Sequence, residues 1–212
     1  MSFASLLRCT MLAAAIALSF ASCAGSPDPV FYALASQPGR ALESPVLHVE
    51  MRRVGLPSYL DRPHIVSRSS AERLELAADE RWGGPLDEMV SATLADDLAS
   101  RLPSCVVFSE TGTITTAADV RVEVEITRFE LGADGLVQLQ AGSAVRWSTG
   151  TDAVRLKRHS FSSRPASKKT ADLVASMSAA LAQLADAVAQ TVLEGAPAPA
   201  GSTATVNTCC AR

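Results

Sequence analysis

Val120-Arg121-Val122-Glu123-Val124-Glu125-Ile126 alternates branched apolar and charged residues without a break, and it decides the fold class. Alternation with period two makes a β-strand with one face on a core and the other in water. The phase then slips, because Phe129 and Leu131 fall on the other parity. One extra residue near Thr127 and Arg128, a β-bulge, returns both to the core face. Asp134-Gly135 is a hairpin signal. Val137, Leu139, Ala141, Val145 and Trp147 form the next alternating run, Ser148 to Asp152 turns, and Val154, Leu156 and Phe161 mark a third strand. Three such strands make an antiparallel meander with one apolar face to be covered.

The covering elements lie on either side. Leu86, Val90, Leu94, Leu98 and Leu102 recur every fourth residue, and Met89 widens the stripe into an amphipathic helix. Pro85 suits its first turn, Asp87 and Glu88 complement the positive end of the dipole, Arg101 complements the other end, and Pro103 stops it. Asp96 and Asp97 are expected on a wet face. A second helix is predicted over Thr170–Leu193, with Leu173, Met177, Leu181, Leu184, Val188 and Val192 as its stripe, Thr170 as cap and Gly195 as terminator. Upstream, Phe31 to Leu34 reads as a short strand, and Leu47, Val49 and Met51 alternate as another. Ile65-Val66 opens an extended run continuing through Leu74 and Leu76, and Cys105 to Phe108 is a short buried strand. The order predicts an α+β fold: a mixed or antiparallel sheet with two amphipathic helices packed on one face.

The N-terminus is of another kind. Arg8 precedes an apolar run from Met11 to Phe20, and Ala21-Ser22-Cys23 resembles the lipobox of bacterial lipoproteins. The expected organisation is a signal peptide over 1–22, an acylated anchor and linker over 23–29, a folded domain over 30–194, and a disordered tail over 195–212. Cys23 would carry a diacylglycerol and an N-acyl chain, such as palmitate, and no other cofactor is expected. Ala24 follows, whereas Asp there resembles the inner-membrane retention signal; the outer membrane is therefore the expected location. The remaining cysteines make no disulfide framework: Cys9 leaves with the signal, Cys105 reads as a buried strand cysteine, and Cys209-Cys210 as an unimportant tail.

Composition narrows the function. Of 212 residues, 48% are hydrophobic and 5% aromatic, enough for a core. The formal net charge of −3 argues against nucleic acid, which needs a concentrated basic patch. His48, His64 and His159 lack metal-ligand spacing, and no nucleophile elbow, phosphate loop or dinucleotide fingerprint occurs. No metal site and no enzyme activity are expected.

One segment stands apart. Pro57-Ser58-Tyr59-Leu60-Asp61-Arg62-Pro63-His64-Ile65-Val66 combines two restraining prolines with aromatic, apolar and charged side chains. That mixture suits a protein-docking loop; equally, Asp61 could cap its own backbone and Arg62 fold onto it. The segment resembles the Pro-x-Tyr-Leu-Asp-Arg-Pro-x-Ile-Val stretch of the ABC-type transport auxiliary lipoproteins, with His64 in place of Gln. Phe31 to Leu34, Arg81-Trp82 before Pro85-Leu86, and Val124 to Phe129 agree with the same family, in its order.

The resemblance implies a non-catalytic outer-membrane lipoprotein of an MCE-type (mammalian cell entry) intermembrane phospholipid transport system. Its partners would be a periplasmic MCE-domain protein, that protein's permease-like inner-membrane partner, and the inner leaflet of the outer membrane. Several copies, a homo-oligomer, would dock around a symmetric conduit. The candidate partner-binding residues are Tyr59, Leu60, Asp61, Arg62 and Trp82, although a Trp before a helix is more often a packing residue. The competing reading is an outer-membrane assembly lipoprotein that packs against a β-barrel.

Overall fold

A computed structural model describes residues 28–114, 116–148 and 154–195. The lipobox with Cys23, the signal peptide, most of the 148–152 turn, and the tail with Cys209 and Cys210 lie outside the described residues.

The meander forms as its alternation requires. Strand β6 (Val120–Leu131) pairs antiparallel with β7 (Val137–Trp147), and β7 with β8 (Val154–Ser163). The β6–β7 register shifts between Ile126 and Arg128, so the expected bulge is present. It keeps Phe129 in the core at 0% exposure and turns Glu130 to the opposite face of the sheet. Gly135 adopts φ 73° in the hairpin, a conformation that glycine reaches without strain.

The other edge of β6 is forked. Its first half pairs parallel with β2 (His48–Met51), which also pairs parallel with β5 (Val106–Ser109). Its last residue pairs parallel with β3 (His64–Arg68) through Ser67 and Leu131, and Gly55 bridges Glu125 between the two branches. Strand β3 pairs antiparallel with β4 (Leu74–Trp82), and β1 (Val30–Tyr32) runs parallel along the far side of β4. All eight strands form one mixed sheet, in the α+β class expected.

Helices α1 (Leu86–Arg101) and α2 (Thr170–Glu194) pack on each other and on this sheet. Val90, Leu94, Leu98 and Leu102 of the α1 segment are fully buried, as are Leu181, Leu184, Val188 and Val192 of α2. They meet Val120, Val122, Phe129, Leu139 and Val145 in one core. Burial of each such side chain contributes about 1.5–3 kcal/mol. By length and composition α2 is apolar enough to cross a bilayer, but 56% of its most apolar window is buried within the fold. It is a core helix.

Several expectations are corrected. The extended run from Ile65 to Leu76 is two strands, because the polar stretch 67–73 turns back, with Ser69 N–H on Arg73 C=O at 3.0 Å. The first strand stops at Tyr32, and residues 33–46 leave the sheet as a strap across the helices. Pro85 is the N-cap residue of α1, not part of its first turn. Lys169, not Thr170, occupies the cap position of α2, without a side-chain cap; Thr170 instead donates to Glu80 of β4. Leu156 is 77% exposed, since it points from the open face of the sheet. Cys105 is half-buried ahead of β5, with its thiol beside Ser44 and the Pro45 carbonyl.

The helix carboxylate expected in water is the largest departure. Asp97 is 0% exposed and accepts from Ser36 Oγ at 2.8 Å and Gln37 N–H at 2.7 Å. Arg101, in the last turn of the helix as expected, is buried beside it. Its guanidinium donates to Asp186 of α2 and to the carbonyls of Gln37, Asp97 and Ala182. Burial raises the Asp97 carboxyl, against the lowering pull of Gln37, Ser36 and Arg101. Helix spacing announces the apolar stripe, but gives no sign of the strap that excludes water from this polar pair.

Candidate docking loop

The loop 57–63 is held at four points. Upstream, Gly55 N–H donates to Val124 C=O at 3.0 Å, and Val54 N–H to the buried Ser91 hydroxyl at 3.0 Å. Arg53 reaches Asp87 at the start of α1, Nε to Oδ2 at 2.7 Å. Inside the loop, Leu60 inserts into the core at 2% exposure. Downstream, Trp82 N–H donates to Pro63 C=O at 2.7 Å. Successive turns, with Leu60 N–H on Pro57 C=O and Asp61 N–H on Ser58 C=O, fold the backbone between these ties.

The fourth tie is electrostatic. The bulge directs Glu130 toward the underside of the loop, where its side chain is 0% exposed. It accepts from Tyr59 Oη at 2.7 Å, Arg68 Nε at 2.9 Å and Arg128 Nε at 2.9 Å. Arg68 also lies over the Tyr59 ring at 5.8 Å. Burial alone would raise the Glu130 carboxyl, but the bonds from Arg68 and Tyr59 and the charge of Arg128 outweigh it and hold it below the usual range. Burial and the bond to Glu130 push the Tyr59 phenol up to about 12, so it stays a donor at neutral pH.

The candidate residues therefore divide. Leu60 and Trp82 are core side chains, Trp82 at 3% exposure, and they support the loop from beneath. Tyr59 is half-buried, with its hydroxyl committed to Glu130. Asp61 and Arg62 are exposed, and neither side chain forms a hydrogen bond or ion pair among the described residues. Asp61 borders a depression of about 390 Å³ that Arg53, Leu56, Ser58 and Asp87 also line. The self-capping arrangement is thus not the one adopted. Glu130 and Arg68 were not foreseen; the phase slip at Thr127 is the signal that could have found Glu130, since it inverts that residue's face.

Other polar groups are structural in geometry. His48 pairs with Asp119 at 3.2 Å. His159 and Ser143 share a hydrogen bond of 2.8 Å, Nε2 to Oγ, with Phe161 stacked on the imidazole. Burial and then the Lys157 charge lower the His159 value, favouring the neutral ring. No group of three metal-ligating side chains comes together among the described residues. An open trough of about 700 Å³ crosses the outer face of the meander over Gly142 and Ala144, walled by Glu123, Glu125, Leu156 and Arg158.

Comparison with known proteins adds three findings. A sequence model described as the ABC-type transport auxiliary lipoprotein component matches residues 32–189. The crystal structure of an uncharacterised protein is similar with a TM-score of 0.66 at 20% identity, covering 78% of this chain and 99% of the other. A Xanthomonas campestris protein is similar with a TM-score of 0.63 at 16% identity, covering 78% and 96%. At these identities the two structures attest a shared fold. No curated protein matches the chain at a significant level.

Proposed function

From the premise that the chain belongs to the ABC-type transport auxiliary lipoprotein family, we propose that it tethers the periplasmic conduit of an MCE-type phospholipid transport system to the outer membrane. Acyl chains on Cys23 hold the domain to the inner leaflet, and the loop 57–63 docks a periplasmic MCE-domain protein. The domain positions a path for lipid and breaks no bond.

The observation that carries this reading is the division of labour within the loop. The loop backbone, Tyr59 and Leu60 are fastened, whereas Asp61 and Arg62, the two charged side chains of the loop, are exposed without a partner among the described residues. Fixing a loop beforehand removes ordering entropy that binding would otherwise cost, about 0.5–1.5 kcal/mol per immobilised side chain. Two opposite charges displayed from a fixed backbone confer register and partner choice more than raw affinity. That is the need of a docking element.

A photo-crosslinking residue at position 62 in living cells tests the reading. Capture of an MCE-domain periplasmic protein is expected. Capture of a β-barrel would transfer the protein to outer-membrane assembly instead.

A further inference from the structure

Eight large apolar side chains are exposed among the described residues, and four of them share one edge of the sheet. Val30 and Phe31 of β1 are 51% and 63% exposed, and Leu74 and Leu76 of β4 are 37% and 47% exposed. Strands β1 and β4 run parallel. Their N-terminal ends therefore point the same way, which puts Leu74 and Leu76 on the side from which the chain leading from Cys23 joins the fold. Val30 is the seventh residue after Cys23. An extended chain reaches at most about 3.5 Å per residue, so β1 lies within about 25 Å of whatever holds Cys23.

Basic charge adjoins this edge. Lys168 and Lys169 are exposed at the entry of α2, directly before Thr170, whose hydroxyl donates to Glu80 of β4. Glu80 also accepts from Tyr32 of β1, and Glu75 lies 3.7 Å from Arg73, so two of the edge's acids have partners. Asp28, Glu72, Glu75 and Asp79 remain exposed, which limits the edge to a shallow position. Exposed apolar residues beside lysines, on a short leash to a lipid anchor, match the chemistry of a bilayer interface.

We propose that the β1–β4 edge, through Val30, Phe31, Leu74 and Leu76 with Lys168 and Lys169, is a membrane-contact surface that seats on the bilayer holding Cys23. The proposal rests on the reading of Cys23 as the acylated residue. The leash keeps the edge at high effective concentration near lipid, so a contact too weak to recruit a free protein suffices to orient a tethered one.

The test uses full-length acylated protein in vesicles of phosphatidylethanolamine and phosphatidylglycerol, with intact mass confirming the lipid on Cys23. Trp82 and Trp147 are 3% and 5% exposed and supply a protected background. A Phe31→Trp variant is compared with Leu156→Trp, on the opposite edge strand β8, using lipids brominated on the acyl chains. Quenching of Trp at 31 is expected to exceed that at 156 by at least about twofold, and to fall when Lys168→Glu and Lys169→Glu are added. Equal quenching at both positions, in protein shown to be acylated, overturns the seating and leaves the lipoprotein reading intact. A mass without lipid on Cys23 removes the premise, and the proposal falls with it.

Discussion

Glu130 takes hydrogen bonds from Tyr59, Arg68 and Arg128 in a position sealed from water. Removing one partner of a buried ion pair leaves the other uncompensated, so Glu130→Gln should cost about 3 kcal/mol at neutral pH, read by denaturant unfolding. The folded carboxyl lies below its ordinary value of 4.5, so its contribution is present above that pH and is lost as pH falls through the folded value. The stability gap between wild type and Glu130→Gln should therefore be full at pH 7 and close progressively below pH 4.5. Asp97 has the opposite sign: its value is raised from 3.8, so its charge burdens the fold above that pH and acid relieves it. Tyr59→Phe deletes one donor to Glu130 and should cost about 1–2 kcal/mol in the same measurement.

At the scale of elements, legibility followed the local signal. The strand from Val120 to Ile126 and both helices are visible because their faces differ in polarity over more than three repeats. The β3–β4 turn is hidden, since residues 67–73 contain neither Gly nor Pro and only Arg68, Ser70 and Arg73 bonding closes it. The strap 33–46 is hidden for a related reason: it has no periodicity, and its fixings come from Asp97, Arg101 and Ser178, distant in sequence. Gly39 lies tight against Arg101, as a Cβ there would stand 2.3 Å from Arg101 Cζ. Gly39→Ala should displace the guanidinium from Asp186 and Gln37 and cost about 1–3 kcal/mol, measurable as a lowered Tm. In the loop, residue types indicated docking chemistry, but only the fold separates Leu60 and Trp82, which support it, from Asp61 and Arg62, which are displayed.

For the whole molecule, one sheet connects the N-terminal strand with the loop proposed as the docking surface. The described chain begins just before β1, on the edge away from β8, and the loop is fastened between β6 and the end of β4. The family membership supplies the transport context, and the free charges on the loop are the place of contact that the proposed function requires. The direct test is co-purification of the periplasmic MCE-domain protein with wild-type chain and with an Asp61→Arg, Arg62→Glu double variant, at matched expression and Tm. Neither side chain has a partner among the described residues, so the exchange should leave Tm within about 2 °C, as surface changes usually shift stability by under 0.5 kcal/mol. Recovery of the partner should fall at least about tenfold, the equivalent of 1.4 kcal/mol of lost charge complementarity. Undiminished recovery with the folded double variant would contradict the account and move the docking surface elsewhere on the domain.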